Sequence, residues 1–223
     1  MKHKIKNITP YGYKQNNLFI QVERNGLEFE PGMCCEIFDR VYSFAGSKYN
    51  EDTLEFLVKI MPNGHAGEQF SKLRPLDEIE IGEVFGFFSP GKDCKHKEYM
   101  YIATGTGIAP FRSALLTYKN HSPQYFLFGG KYISDWFDLA IIINDQHPNT
   151  YMFGAQSVVD DPSLEIPKHI THHAKTIIPS IKNKQYNFYL CGLDRMISDI
   201  SNIIIDNNFT YDQIQTEQFY SKI

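Results

Sequence analysis

Cysteine is scarce: four residues, Cys34, Cys35, Cys94 and Cys191, are spread over 223 positions with no spacing that suits a disulfide framework or a zinc site. Cys34 and Cys35 are adjacent and point to opposite faces of a strand, which argues against a bond between them. The C-x4-C-x2-C spacing of an iron–sulfur ligand set is also missing. Positive charge is not in excess, since 22 lysines and arginines face 26 acidic residues for a formal charge of −4. No global positive field draws a phosphate backbone, which excludes a general nucleic-acid binder. No apolar run approaches the length of a membrane span. The basic opening Met1-Lys2-His3-Lys4-Ile5-Lys6 lacks the apolar stretch of a secretory signal. The expectation is a cytoplasmic chain with no membrane partner and no metal. Internal repeats and low-complexity tracts are absent too.

What is present is apolar and aromatic, 42% and 14% of residues, enough for sizeable cores in one large domain or two small ones. Up to residue 92 the chain reads as β. Leu18-Phe-Ile-Gln-Val-Glu, Met33-Cys-Cys-Glu-Ile-Phe, Leu54-Glu-Phe-Leu-Val-Lys-Ile and Glu78-Ile-Glu-Ile are short runs rich in β-branched and aromatic residues. Pro31-Gly32, Pro62-Asn63-Gly64 and Pro90-Gly91 punctuate them as turns. Such strands predict a closed antiparallel β-barrel. The polar stretch 91–97 predicts a linker, so the expected domains are 1–94 and 95–223. The second half alternates. Strands are predicted at 99–103, 125–128, 151–154 and 187–191, and helices at 110–119 and 196–207. In the latter helix Met196, Ile197, Ile200, Ile203 and Ile204 form a stripe. The alternation predicts a Rossmann-like α/β domain with a parallel sheet.

The segment Tyr101-Ile-Ala-Thr-Gly-Thr-Gly-Ile-Ala-Pro-Phe-Arg-Ser-Ala-Leu115 reads as a strand end, a glycine turn and the start of a helix. Pro110 suits a first helical turn, where its missing N–H costs nothing. Free N–H groups and the positive end of the helix dipole can receive a phosphate there. Alone, such a turn is as often a tight connection. Three further signals flank it: Arg40-Val41-Tyr42-Ser43 upstream, then Leu190-Cys191-Gly192 followed by Met196, then Glu217-Gln218-Phe219-Tyr220. Arg40 and Tyr42 are two apart and share a strand face, while Ser43 points to the other. A cation, a flat ring and a hydroxyl on one strand can serve the phosphate, the ring and the N5 atom of a flavin. The plain alternative is a strand with an exposed arginine and a half-buried tyrosine. His169, His172 and His173 lack a completing ligand and read as a solvated basic loop.

In this order the four signals resemble the ferredoxin–NADP reductase family, above all its short bacterial ferredoxin/flavodoxin–NADP reductases, from Asn17 to Tyr220. The resemblance implies that Arg40, Val41, Tyr42 and Ser43 hold FAD, flanked by the main chain of Leu57, Val58 and Lys59. It implies a helix start at Gly67-Glu-Gln-Phe-Ser71-Lys-Leu73 that holds the flavin phosphates through Gln69, Phe70 and Ser71, with Ser71 as N-cap. Phe219 matches the aromatic stacked on the flavin, Tyr220 an adenine or flavin contact, and Glu217 an acid linked to proton and hydride transfer. Thr104, Gly105, Thr106 and Gly107 match the pyrophosphate turn, and Cys191 with Gly192 the nicotinamide pocket. Cys191 can equally be a buried small hydrophobe. Lys131, Ser157 and Lys168 match contacts to a 2′-phosphate. Val158 replaces a family arginine, and Asp160 and Asp161 follow it. The balance favours NADPH over NADH.

The activity implied is hydride transfer between NADPH and FAD, with Ser43, Cys191, Glu217 and Phe219 catalytic and ferredoxin or flavodoxin as partner. Lys92, Lys95 and Lys97 offer either a docking patch or a solvated loop. An NADH-dependent flavin reductase or oxygenase-reductase component carries the same motifs. A non-catalytic nucleotide-binding regulatory module is the reading from another class. FMN in place of FAD stays open.

Overall fold

The computed structural model describes residues 1–61, 64–88, 90, 92, 98–156 and 168–218. The first half holds β1 (Lys2–Tyr11), β2 (Asn17–Glu23), β3 (Cys34–Ile37), β4 (Arg40–Ser43), β5 (Thr53–Lys59), α1 (His65–Lys72), β6 (Glu78–Glu80) and β7 (Val84–Phe85). The strands form two antiparallel sheets, ordered β5-β2-β1-β6 and β4-β3-β7. Alternation does the sorting: Leu18, Ile20 and Val22 of β2 turn inward to meet Ile5, Phe44, Phe56 and Ile79. One seam between the sheets is a bridge between Phe44 and Phe56, extended by Ala45 N–H donating to the Glu55 carbonyl at 2.8 Å. At the other, Ile81 N–H donates to the Met1 carbonyl and Gly82 N–H to the Glu36 carbonyl, both at 2.9 Å. The sheets thus close on one core as a barrel. Strand β1 is an addition to the sequence expectation. Only His3 and Ile5 turn inward among its first lysines, so its apolar signal is too short to read.

The second half holds β8 (Tyr99–Thr104), α2 (Ala109–Thr117), β9 (Tyr125–Gly130), α3 (Leu139–Gln146), β10 (Tyr151–Gln156), α4 (Thr171–Ile177), β11 (Asn187–Gly192), α5 (Asp194–Asp206) and β12 (Ile214–Gln218). All five strands are parallel, in the order β10-β9-β8-β11-β12. Tyr101, Phe111, Phe126 and Leu139 pack on the face carrying α2 and α3. Ile102, Leu127, Leu190 and Ile200 pack on the face carrying α4 and α5. The order of strands reverses between β8 and β11, and a crevice opens beyond the carboxyl ends of strands at such a point. The expected basic loop around His172 and His173 is instead helix α4, anchored by Ala174 and Ile177 in the core. The boundary expected after residue 94 lies outside the described residues.

Candidate active site

The glycine turn after β8 and the end of β11 meet at the reversal. Gly105 has φ +55°, and a 3₁₀ turn over Gly105–Ile108 leads into α2 with Pro110 in its first turn. No side chain caps α2; its first N–H, on Ala109, donates to the Thr106 carbonyl, and Pro110 has none to offer. A Cβ on Gly107 would strike the Cys191 carbonyl, so only glycine lets the turn lie against β11. Gly192 has φ +140°, and a side chain there would strike the Thr104 hydroxyl. That hydroxyl accepts the Leu193 N–H at 3.1 Å and so ties β8 to the end of β11. Thr106 is half-buried within the turn.

Three residues expected to act together converge here. Ser43 reaches from the barrel and its hydroxyl donates to Glu217 Oε1 at 2.8 Å. Glu217 lies opposite Cys191 in the β11–β12 register. Glu217 Oε2 is buried with no hydrogen-bond partner among the described residues. Burial pushes the carboxyl up to about 7, against the lowering effect of the Ser43 hydrogen bond. Cys191 is fully buried, and burial followed by the Glu217 charge holds its thiol well above the ordinary range. Cys34, which sequence reasoning gave no role, pairs with Ser43 across the β3–β4 ladder. Its thiol donates to the Phe85 carbonyl at 3.4 Å, and burial, then Glu217, pushes it up to about 11.

Along β4, Arg40 is exposed and its guanidinium donates to the Asp39 carbonyl at 3.1 Å. It has no acidic partner among the described residues. Val41 is exposed, and the half-buried Tyr42 ring stands edge-on to Phe70 at 5.3 Å. Leu57 and Val58 put their side chains in the core while Lys59 is exposed. Their strand is an outer strand of its sheet, bridged at Phe56, so its outward main-chain groups at 57–59 face no neighbouring strand.

The expected phosphate-binding helix start is corrected. Helix α1 begins at His65 after Gly64, so Ser71 sits in its last turn and donates to the Glu68 carbonyl at 2.8 Å. Gln69 is mid-helix, and the Phe70 side chain packs in the barrel core at 1% exposure. The open N–H groups of this helix belong to His65, Ala66 and Gly67.

On the far side, Lys131 follows β9 with its ammonium over the Tyr132 ring at 5.5 Å. Lys168 is exposed, as is Lys92. Ser157, Phe219 and Tyr220 lie outside the described residues, with Val158, Asp160, Asp161, Cys94, Lys95 and Lys97. His173 Nε2 donates to the Gly154 carbonyl at 2.9 Å. No trio of metal-ligating side chains is found among the described residues.

Residues 101–202 match the family described as the oxidoreductase NAD-binding domain. A flavodoxin/ferredoxin–NADP reductase of Buchnera aphidicola is 27% identical over 185 residues, 77% of this chain and 74% of that protein. Over most of its length the chain is thus similar to ferredoxin–NADP reductases. An NADH-cytochrome b5 reductase 2 of Aspergillus clavatus is 25% identical over 173 residues, 73% of this chain and 52% of its own length. Over the curated relatives matched, the aligned stretch spans from 37% to 74% of their length. The fold is that of a ferredoxin NADP+ reductase from Neisseria gonorrhoeae with bound FAD and NADP, at TM-score 0.83 and 19% identity, covering 99% of this chain and 98% of that one.

Four features of the site could hold a flat cofactor that carries phosphates. Arg40 without an acidic partner, the open start of α1, the outer edge of β5 and the Tyr42 ring suit a flavin with its phosphates. The orphaned Glu217 Oε2 marks a buried polar group made to face another. The glycine turn before α2, where Gly105 has φ +55° and open space about its Cα, could admit a phosphate group close to the backbone.

Sequence reading also passed over Arg112, Glu55 and Asp138. Arg112 Nη1 donates to the Ala45 carbonyl and to Glu55 Oε2, both at 2.7 Å, and its Nε and Nη2 grip Asp138. Its guanidinium lies over Phe19 at 5.1 Å and Phe137 at 5.6 Å. The available signal was a charge embedded in each of two apolar elements, Arg112 in α2 and Glu55 in β5.

Proposed function

We propose that the protein is an FAD-dependent oxidoreductase that passes electrons between NADPH and a one-electron carrier protein, ferredoxin or flavodoxin. The Ser43–Glu217 hydrogen bond carries this reading, because it joins barrel and parallel sheet at a protonatable, water-poor point beside Cys191. Bound FAD supplies hydride exchange with nicotinamide and delivery of electrons to an acceptor. Arg40 and the N–H groups of His65, Ala66 and Gly67 would hold its phosphates, and Tyr42 would lie against its ring. Ser43 would orient the reacting edge. Glu217 would hold a proton at Oε2, where its raised pKa leaves it half-protonated near neutrality. The turn of Gly105 and Gly107 would receive the pyrophosphate of NADPH, with Gly192 admitting the nicotinamide next to Cys191. Lys131, Lys168 and Ser157 would meet its 2′-phosphate, and Phe219 would cover the flavin until nicotinamide enters.

A second reading, an NADH-dependent reductase, draws on Val158, Asp160 and Asp161 and on the likeness to an NADH-cytochrome b5 reductase. The deciding experiment is a visible spectrum of the purified protein followed by anaerobic addition of NADPH or NADH. Flavin bands that bleach faster with NADPH support the first reading, and faster bleaching with NADH supports the second. Absence of flavin after reconstitution with FAD or FMN overturns both and leaves a binding module.

A further inference from the structure

We propose that Arg112 is a positioning residue that sets the distance between the flavin side and the nicotinamide side of the site, an inference that rests on the function proposed above. The glycine turn runs straight into α2, and Gly107 of that turn is backed against the Cys191 carbonyl. Arg112 lies on the same helix, with its side chain 7% exposed. Both protons of its Nη1 cross to the barrel, one to Glu55 on β5 and one to the carbonyl of Ala45. The next residue repeats the link, as the Ser113 hydroxyl donates to the Gly46 carbonyl at 2.7 Å. Ala45 and Gly46 follow closely on β4, the strand that ends with Ser43. A short path of covalent bonds, one hydrogen bond and one packing contact thus runs from Ser43 to Ala45, across the guanidinium to α2, and back through Gly107 to Cys191.

The chemistry suits a spacer. Buried ion pairs add little net stability over apolar packing, but a planar fork held on three sides by Glu55, Asp138 and a carbonyl fixes direction as well as distance. Phe19 and Phe137, one from each half, hold the plane of the fork. Misplacing reacting atoms by about 1 Å costs on the order of a hundredfold in rate, so a joint here acts on the chemistry without touching it.

The test uses Arg112→Lys, which keeps the charge and loses the fork, and Ser113→Ala, which removes the parallel link and leaves the ion network intact. In FAD-loaded protein, Arg112→Lys slows anaerobic bleaching by NADPH more than about tenfold, while bleaching by dithionite and the nucleotide Kd stay within about threefold. Ser113→Ala slows it by about threefold and keeps the test standing where Arg112→Lys does not fold. In flavin-free protein, iodoacetamide labelling of Cys191, mapped by mass spectrometry, rises relative to Cys35, which is sealed in the barrel core. Wild-type bleaching rates in both variants overturn the proposal, as does labelling of Cys191 and Cys35 that rises in step. If wild-type protein takes up no flavin, the functional reading fails, and the labelling ratio still decides whether Arg112 sets the gap.

Discussion

At Glu217 burial and hydrogen bonding pull in opposite directions, and burial wins. The carboxyl moves from its ordinary 4.5 to about 7 although Ser43 donates to it. A carboxyl pKa raised by folding means that the native state binds more protons than the unfolded chain between those two values. Its contribution to stability is therefore full below about 4.5 and is lost as pH rises through about 7. At about 1.4 kcal/mol per unit the loss amounts to as much as about 3 kcal/mol. Glu217→Gln removes this titration. Its stability relative to wild type should rise between about pH 5 and pH 8, as read by urea denaturation at each pH. A difference that does not change with pH would overturn the account. The acid was legible from its place near the chain end, whereas the orphaned Oε2 and the proximity of Cys34 depend on strands brought together from three parts of the chain.

Elements were most legible where one physical signal dominated. Strand β8 is buried on both faces, so its continuous apolar run predicted it within a residue. Helix α5 was read from its stripe of Met196, Ile197, Ile200 and Ile204. Helix α1 was misread because Gly64 offers no capping side chain, while Ser71 imitates a cap one helix length too late. The correction has a consequence for binding. Ser71→Ala should leave flavin affinity unchanged and stability within about 0.5 kcal/mol, since its hydroxyl only answers the Glu68 carbonyl of its own exposed turn. Arg40→Ala should weaken flavin binding at least about tenfold, the loss of one charge-assisted phosphate contact. Fluorescence titration of the flavin-free protein compares the two, and equal weakening would return the phosphate site to Ser71.

Taken whole, the molecule is a two-sheet barrel and a parallel sheet joined by side-chain contacts. Arg112 is bonded into both halves, Asn17 of the barrel donates to Asp135 at 3.3 Å, and the Tyr11 ring packs at a tilt against Phe137 at 4.7 Å. Removing one partner from a buried ion network leaves the others unpaired, so Arg112→Met should cost about 3–5 kcal/mol in denaturant unfolding. Because the shared contacts couple the halves, the fluorescence of the single tryptophan, Trp136, and far-ultraviolet circular dichroism should give one common midpoint in wild-type protein. Separate midpoints would show that the halves unfold independently. By itself the sequence determined the alternation of strand and helix and the glycine turn, because hydrophobic period and turn residues are local signals. Only the tertiary structure decided that Ser43, Cys191 and Glu217 meet, that α1 opens at His65, and that Arg112 spans the gap. Those outcomes depend on which strands become neighbours and which charges are buried together, and no local pattern in the chain encodes either.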